Sequence, residues 1–428
     1  MRMRSPFWLF FVLIVAGCAS GKIKTQLVQA EKDFKDHIGF VLYDPVNKKT
    51  LCDFQGDKYF TPASNTKIFT LFSSLQLLGD SVPALRYVLQ NDSLIFWGTG
   101  DPSFLYSNVV RTDRTYLFLK NATAKLFFSS DNFYTEHFGP GWAWGDYAYS
   151  YQAERTPFPV YGNRFIVKKS EQKFAATPSF FNSEIRVAPA IQKNHEIIRD
   201  IQSNALTYFP GSDSIPPEWE VPFHYSDQLL VKLLSDTLRK DVRLISFIPK
   251  DEKRFFYSVA ADSLYKVMMQ ESDNFIAEQL LLICADILAD SLNSEITIRE
   301  VKKRFLGDLP DAPVWVDGSG LSRYNLFTPR TIVRLWEKIG LTISRKRLFG
   351  ILAVGGRSGT LRDYYKSEKP YIYGKTGTLR SNHSLSGFLV TRSGRTLIFS
   401  WMNNNFTTST GDIRGRMEKV LKSIYEKY

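Results

Sequence analysis

Apolar residues fall along this chain in three regimes. Near the start, Ile38-Gly-Phe-Val-Leu-Tyr and Thr50-Leu-Cys-Asp-Phe flank the polar turn Asp44-Pro-Val-Asn-Lys-Lys, which predicts a β-hairpin that delivers Ser64 to the edge of a sheet. A charged lead-in, residues 22–36, precedes it as a helix or a flexible segment. The run Ile68-Phe-Thr-Leu-Phe-Ser-Ser-Leu-Gln-Leu-Leu-Gly is too continuously apolar for a surface helix, so it predicts a core helix stopped by Gly79. From about residue 85 to about residue 254 the pattern changes to short runs punctuated by Pro and Gly: Tyr87-Val-Leu, Ser93-Leu-Ile-Phe-Trp, Leu117-Phe-Leu, Lys125-Leu-Phe-Phe, Arg164-Phe-Ile-Val, Glu184-Ile-Arg-Val and Leu244-Ile-Ser-Phe-Ile. These read as strands of a mainly β module. Helical spacing returns with Asp262-Ser-Leu-Tyr-Lys-Val-Met-Met-Gln and Phe275-Ile-Ala-Glu-Gln-Leu-Leu-Leu-Ile. The last third alternates helix and strand signals. It ends with a strand pair, Ser386-Gly-Phe-Leu-Val-Thr and Arg395-Thr-Leu-Ile-Phe-Ser-Trp-Met, and an amphipathic helix from residue 413.

At 428 residues, 44% hydrophobic and 14% aromatic, the chain can bury one large core or two ordinary ones. Its net charge of +12 suits an anionic partner, but no block of five Lys/Arg occurs and acidic residues are interspersed. That pattern is a solvated basic surface and gives no support to nucleic-acid binding. His37, His137, His195, His224 and His383 lack zinc-type spacing, so neither a metal nor another cofactor is expected. At the start, Arg2 and Arg4 precede an apolar stretch, residues 6–15, that is too short to span a bilayer and has the layout of a secretory signal. Val15-Ala-Gly-Cys18 resembles a bacterial lipobox, which implies removal of residues 1–17 and lipid attachment at Cys18; the plainer alternative is a signal with an incidental cysteine. Cys52 and Cys284 remain. An exported chain permits them to pair, and the sequence leaves that open.

Ser64 and Lys67 stand three residues apart where the core helix opens, so both side chains share one face of it. A lysine desolvated beside a serine hydroxyl can act as its base, which makes the two a candidate nucleophile and base. Taken alone, they read as a capping serine and a solvated lysine. Two further stretches change that. Ser272-Asp273-Asn274 opens the second apolar helix, and Lys375-Thr376-Gly377-Thr378 precedes the final strand pair. Ser-x-x-Lys, Ser-Asp-Asn and Lys-Thr-Gly, in this order, form the set shared by penicillin-binding proteins and class A β-lactamases. The first two motifs lie 208 residues apart and the last two 103 apart, so an additional domain must fill the first interval.

The chain resembles the low-molecular-mass penicillin-binding proteins of the class C type, which are D-alanyl-D-alanine carboxypeptidases and endopeptidases. Besides the three motifs, Gly98-Thr-Gly-Asp-Pro-Ser-Phe, Gly139-Pro-Gly-Trp-Ala-Trp-Gly-Asp with Tyr161-Gly-Asn-Arg, Asp317-Gly-Ser-Gly-Leu-Ser-Arg-Tyr-Asn and Gly356-Arg-Ser-Gly-Thr-Leu carry the likeness, which covers nearly all of the mature chain. It implies an α/β (α+β) fold of β-lactamase/transpeptidase-like type, a sheet flanked by helices, built from residues 18–84 and 255–428 around an inserted mainly β domain at 85–254. It also implies roles. Ser64 attacks the carbonyl between two D-alanines and Lys67 takes its proton. Ser272 relays a proton to the leaving amine, Asn274 binds the peptide backbone, and Lys375 contributes charge. Thr376, Gly377 and Thr378 form the wall that meets the terminal carboxylate, and the backbone N–H groups of Ser64 and Thr378 form an oxyanion hole. Asp146 and Arg323 sit where this family binds the polar end of the stem peptide, with a structural ion pair as the alternative for each. Ser319, flanked by glycines with no base nearby in sequence, is read as part of a turn.

The expected substrate is then the peptidoglycan stem peptide, β-lactams are covalent inhibitors, and the protein faces the periplasm on a lipid anchor. Competing readings are a β-lactamase, for which no deacylating carboxylate stands out, and a catalytically idle wall-binding or β-lactam-sensing protein, against which the intact Ser64, Lys67, Ser272 and Lys375 argue. The segment Phe256-Tyr-Ser-Val-Ala-Ala-Asp-Ser-Leu lacks the proline-rich approach common before the second motif, and the insertion is somewhat short.

Overall fold

The computed structural model describes residues 7–428 apart from 111, 171, 172, 190, 215, 217 and 251, with side chains from residue 21 onward. The expected signal segment 1–17 and the lipidation candidate Cys18 fall outside the described side chains. Among the described residues no helix is long and apolar enough to cross a membrane.

Helix α1 (Phe7–Phe34) leads into the antiparallel hairpin β1 (His37–Asp44) and β2 (Lys49–Phe54), and a short 3-10 turn, Ala63–Thr66, opens α2 (Lys67–Leu77). Then follow β3 (Ser81–Gln90), β4 (Ser93–Gly98), α3 (Arg114–Asn121), β5 (Lys125–Ser129), β6 (Arg164–Ser170), β7 (Lys173–Thr177), β8 (Ile185–Val187), β9 (Glu196–Arg199), β10 (Leu206–Phe209), β11 (Trp219–Pro222), α4 (Asp227–Leu238), β12 (Val242–Ile245) and β13 (Arg254–Ala260). The chain closes with α5 (Ala261–Gln270), α6 (Asn274–Ala289), α7 (Ser294–Phe305), α8 (Pro329–Thr342), α9 (Arg345–Ile351), β14 (Ala353–Val354), β15 (Ile372–Leu379), β16 (Asn382–Val390), β17 (Thr396–Asn404) and α10 (Thr410–Lys427).

One six-stranded sheet, ordered β14-β15-β16-β17-β1-β2, joins the two ends of the chain, with His37 opposite Asn404 and Tyr43 opposite Ile398. Because strand side chains alternate between faces, Phe40 and Leu42 point one way and Val41 the other. Phe40, Leu42, Leu397 and Phe399 pack on Ile23 and Leu27 of α1 and on Met417 and Leu421 of α10. Val41, Ile398 and Met402 pack on the opposite layer, α2, α5, α6 and α8. Each such fully buried side chain contributes about 1.5–3 kcal/mol. Cys52 belongs to the first layer and Cys284 to the second, so the sheet separates them and no disulfide joins them.

The residues between β3 and β13 form a five-stranded sheet, β12-β5-β4-β3-β13, and two three-stranded sheets, β8-β10-β9 and β11-β6-β7, around their own apolar core. Two of its elements are helices. Leu117-Phe-Leu, read as a strand, lies in α3, because a three-residue apolar run carries too little periodicity to choose between the two. In α4 the buried Leu230, Leu233, Leu234 and Leu238 recur at helical spacing, and Ser226 caps the helix by accepting a hydrogen bond from Leu229 N–H. Two smaller expectations also change. Helix α2 ends where Leu78 turns extended, without a left-handed Gly79. Lys375 stands inside β15 instead of ahead of a strand. After the β1–β2 hairpin, paired backbone bonds tie Phe60 to Phe327, and Ser64 comes to rest against β15 at Gly377, beyond the residues that pair with β14, and so at the edge of the sheet.

Candidate active site

Helix α2 is apolar because it is buried, and that burial removes Lys67 from water completely. Its Nζ lies 3.0 Å from Ser64 Oγ, 2.6 Å from Asn274 Oδ1 and 2.7 Å from the Ser319 carbonyl oxygen. The last two atoms can only accept. The Asn274 amide is oriented by its Nδ2, which donates to the Tyr151 carbonyl at 2.9 Å. A neutral amine has two N–H bonds and one lone pair, so the two acceptors consume both donors and the lone pair is left facing the Ser64 hydroxyl. Burial lowers the Lys67 pKa to about 8, and the carboxylates of Asp317, Asp273 and Glu278 keep it from falling further.

Close backbone approach brings Ser64 to the sheet. Gly377 lies so near that a Cβ there would stand 2.5 Å from the Pro62 carbonyl and 2.9 Å from Ser64 N. A Cβ on Gly320, which has φ +84°, would stand 1.9 Å from the Ala63 carbonyl. Neither position accepts a side chain. Asn65 fixes the docking. Its Nδ2 donates to the Lys375 carbonyl at 3.1 Å and to Ser384 Oγ at 2.9 Å, and its Oδ1 accepts from Ser386 Oγ, which in turn accepts from Trp336 Nε1 at 2.9 Å.

Lys375, also fully buried, reaches the second motif: its Nζ donates to Ser272 Oγ and to the Thr376 carbonyl, both at 2.8 Å. Burial and the nearby Lys67 cation push its pKa well below the usual lysine value. Ser272 has φ +65°, an outlier for a non-glycine residue that costs on the order of 1–3 kcal/mol unless its surroundings enforce it. Here they do, because the next residue is anchored. Asp273 caps α6 by accepting from Ile276 N–H at 2.9 Å and also takes the Tyr106 hydroxyl at 2.5 Å. The cap of α6 is thus Asp273, which leaves Asn274 free to face Lys67.

Ser64, Ser272, Asn274 and Thr378 line a cleft of about 800 Å³ together with Asp146, Tyr151 and Arg323. The structure therefore brings together Ser64, Lys67, Ser272, Asn274, Lys375, Gly377 and Thr378, with Asp146 and Arg323 on the cleft wall. Thr376 departs from the expectation. Thr376 and Thr378 share a face of β15, but the Thr376 hydroxyl is buried and donates to Thr360 Oγ1 at 2.6 Å, so the cleft meets Thr378 and not Thr376. The Thr378 hydroxyl is 2.8 Å from Nδ1 of His383, an imidazole held neutral by burial, which lowers its pKa to about 3. Asn65, Tyr151, Glu278 and Asp317 were missed as site residues by sequence reasoning. The partners of Asn65, Tyr151 and Glu278 lie tens to hundreds of positions away and leave no local signal, whereas Asp317 bonds Gly320, Ser322 and Asn325 within its own loop and reads locally as a turn residue. No group of three or more His, Cys, Asp or Glu among the described residues could hold a metal.

The family model described as the D-Ala-D-Ala carboxypeptidase 3 (S13) family matches residues 20–205 and 258–424. The chain is 21% identical to the D-alanyl-D-alanine carboxypeptidase DacB of Haemophilus influenzae, over 91% of this chain and 90% of that one. It is 24% identical to the D-alanyl-D-alanine carboxypeptidase of Actinomadura sp., over 86% and 77%. In fold it is similar to the crystal structure of penicillin binding protein 4 of Haemophilus influenzae, with TM-score 0.72, 21% identity and 91% and 97% of the two chains covered. It is also similar to a predatory peptidoglycan endopeptidase of Bdellovibrio bacteriovorus, with TM-score 0.53, 14% identity and 91% and 93% covered.

Asn65→Ala strips partners from the Lys375 carbonyl and from the buried Ser384 and Ser386 hydroxyls. It is expected to lower stability by about 1–3 kcal/mol, read from the urea midpoint at unchanged m. It should also slow covalent reaction at Ser64, while an unchanged midpoint would show that the network does not dock the turn.

Proposed function

The chain belongs to the D-Ala-D-Ala carboxypeptidase 3 (S13) family, and from that premise we propose that it is a serine-type D-Ala-D-Ala carboxypeptidase/endopeptidase of peptidoglycan peptides that is acylated, by substrate or by penicillin, on Ser64. The observation that carries this reading is the Lys67 amine, buried and bonded so that its lone pair meets the Ser64 hydroxyl.

On this reading Ser64 Oγ attacks the carbonyl carbon of the bond between two D-alanines while Lys67 accepts its proton. The N–H groups of Ser64 and Thr378, side by side because Gly377 permits it, receive the developing oxyanion; loss of such a donor typically costs on the order of 3 kcal/mol. Ser272, whose hydroxyl accepts from Lys375 Nζ at 2.8 Å, relays the proton taken from Ser64 to the departing amine, which leaves Lys67 neutral again. The C–N bond breaks, the peptide remains as a Ser64 ester, and water then releases the shortened peptide and restores the hydroxyl. If the departing amine belongs to a neighbouring stem, the same steps cleave a cross-link. Thr378 meets the terminal carboxylate with Thr376 behind it. Asp146 and Arg323 take the polar end of the third stem residue. Asp146, like Tyr151, lies in the 85–254 module, which we assign as a domain inserted into the transpeptidase-like one. A β-lactamase would need a carboxylate that hydrolyses the ester quickly, and family membership favours the peptidase. We further assign the protein to the bacterial envelope, facing the periplasm and held to a membrane by lipid on Cys18.

Fluorescent penicillin is expected to label the purified protein covalently and D-alanine to be released from purified muropeptides. Ser64→Ala should abolish both without changing the melting temperature; persistent labelling would sink the assignment of the nucleophile. Lys375→Ala removes the donor to Ser272 Oγ and the amine whose titration is coupled to that of Lys67, so acylation should reach a lower plateau and its pH profile should move. Lys375→Arg should recover only part of the rate, and an unshifted profile in Lys375→Ala would place Lys375 outside the site. Cys18→Ala should move the protein from the membrane to the soluble fraction, and unchanged fractionation would refute the anchor.

A further inference from the structure

Three carboxylates stand around the buried Lys67 amine, and two of them grip one short piece of backbone. Glu278, on the second turn of α6, accepts from Ser319 N–H through Oε1 at 2.7 Å. Asp317, from the loop before α8, accepts from Gly320 N–H through Oδ1 at 2.8 Å. Gly320 N–H and the Ser319 carbonyl belong to the same peptide unit, and that carbonyl accepts from Lys67 Nζ at 2.7 Å. The unit is therefore bonded at both ends, with its N–H toward an anion and its oxygen toward the amine, an alignment in which each bond polarises the next.

Asp317 is fully engaged. It also accepts from Asn325 Nδ2 at 2.8 Å, Ser322 N–H at 2.7 Å and Trp142 Nε1 at 3.0 Å. Glu278 is not. It is 1% exposed, its Oε2 has no hydrogen-bond partner, and it faces Arg155 only across 3.6 Å. Arg155 is itself bonded to the carbonyls of Glu136 and Phe138. A glutamine would satisfy the single bond to Ser319 without burying a charge, so the charge at this position needs a reason of its own.

We propose that Glu278 and Asp317 are positioning residues for the base: by clamping the Ser319–Gly320 backbone they hold the carbonyl that, with Asn274 Oδ1, consumes both N–H bonds of neutral Lys67 and aims its lone pair at Ser64. The clamp rests on the reading of Lys67 as the base. It also accounts for the glycine at 320, where any side chain would strike the Ala63 carbonyl and push the loop off the amine. The charged groups facing Lys67 are Lys375 from β15, Asp273 and Glu278 from α6, and Asp317; Glu278 faces Arg155 and Asp317 as well. Burial, and then Asp317, push the Glu278 pKa up, while Arg155 opposes them and favours the charged form. Its negative charge then holds the lysine's proton.

The test is the pH dependence of penicillin acylation in the full chain, with melting temperatures alongside. Glu278→Gln keeps the acceptor for Ser319 N–H and loses the charge. Its acid limb should move to lower pH, so that near pH 7 it reacts at a several-fold larger fraction of its own plateau than the parent does. Glu278→Ala frees Ser319 N–H and should lower the plateau about tenfold or more. Asp286→Asn, a buried carboxylate two turns further along α6 and paired with Arg86, should lower the melting temperature and leave the limb in place. A parental plateau in Glu278→Ala, a plateau lost as fully in Glu278→Gln, or an equal loss in Asp286→Asn would each overturn the clamp, and a parental limb in Glu278→Gln would overturn the part played by its charge. Failure of the parent protein to be labelled at Ser64 would instead remove the underlying function.

Discussion

Taking a lysine amine out of water costs several kcal/mol even after the surroundings relax, and the cost is met only where acceptors stand ready. Lys67 has three such contacts, and none lies on its own helix beyond Ser64. One comes from the start of α6 and one from the loop at Ser319. A buried amine therefore requires α2, α6 and that loop to pack as one unit, and the apolar layer they share supplies the packing. The same burial that lowers the lysine's pKa is what shapes this half of the protein.

Ser64 imposes a second constraint of backbone on backbone. Ser64 belongs to a turn pressed between Gly320 and Gly377, and Asn65 pins the turn to β15 and β16. Those strands come from the end of the chain and the turn from its beginning, so the site exists only once β1 has paired with β17. The intervening residues reach back as well. Tyr151 supplies the carbonyl that orients Asn274, and Trp142 supplies an N–H to Asp317. The 139–152 segment thus contributes to the base's surroundings in addition to walling the cleft.

How far the sequence disclosed this depends on the range over which each feature acts. The hairpin, α2, α5, α6 and the last two strands carry their own periodicity, and the three motifs carry chemistry at fixed spacing, so both were legible. Leu117-Phe-Leu was too short to declare itself as α3, whereas the leucines of α4 had helical spacing that a search for strands passed over. Thr376 looked equivalent to Thr378 because both alternate onto one face; only Thr360, sixteen positions away and packed by the fold, distinguishes them. Asn65 and Glu278 sit next to motif residues, but their partners lie 41 to 321 positions off. A polar residue inside an apolar run announces that it needs a partner without saying which. Ser319 was correctly read as a turn residue, yet its carbonyl is the atom that matters, and backbone atoms leave no trace in the residue code.

Two lysines buried in one site cannot both remain charged without cost, and their pKa values belong to the pair more than to either residue. Their surroundings differ in sign. Lys67 faces three carboxylates, while Lys375 has burial and a neighbouring cation against it. Each amine also touches a different serine, Ser64 in one case and Ser272 in the other. This asymmetry favours the proton on Lys67 over Lys375, and on the proposed mechanism the proton that Lys67 takes from Ser64 leaves through Ser272 with the departing amine. Net charge is then neither created nor lost inside a cavity that could not solvate it.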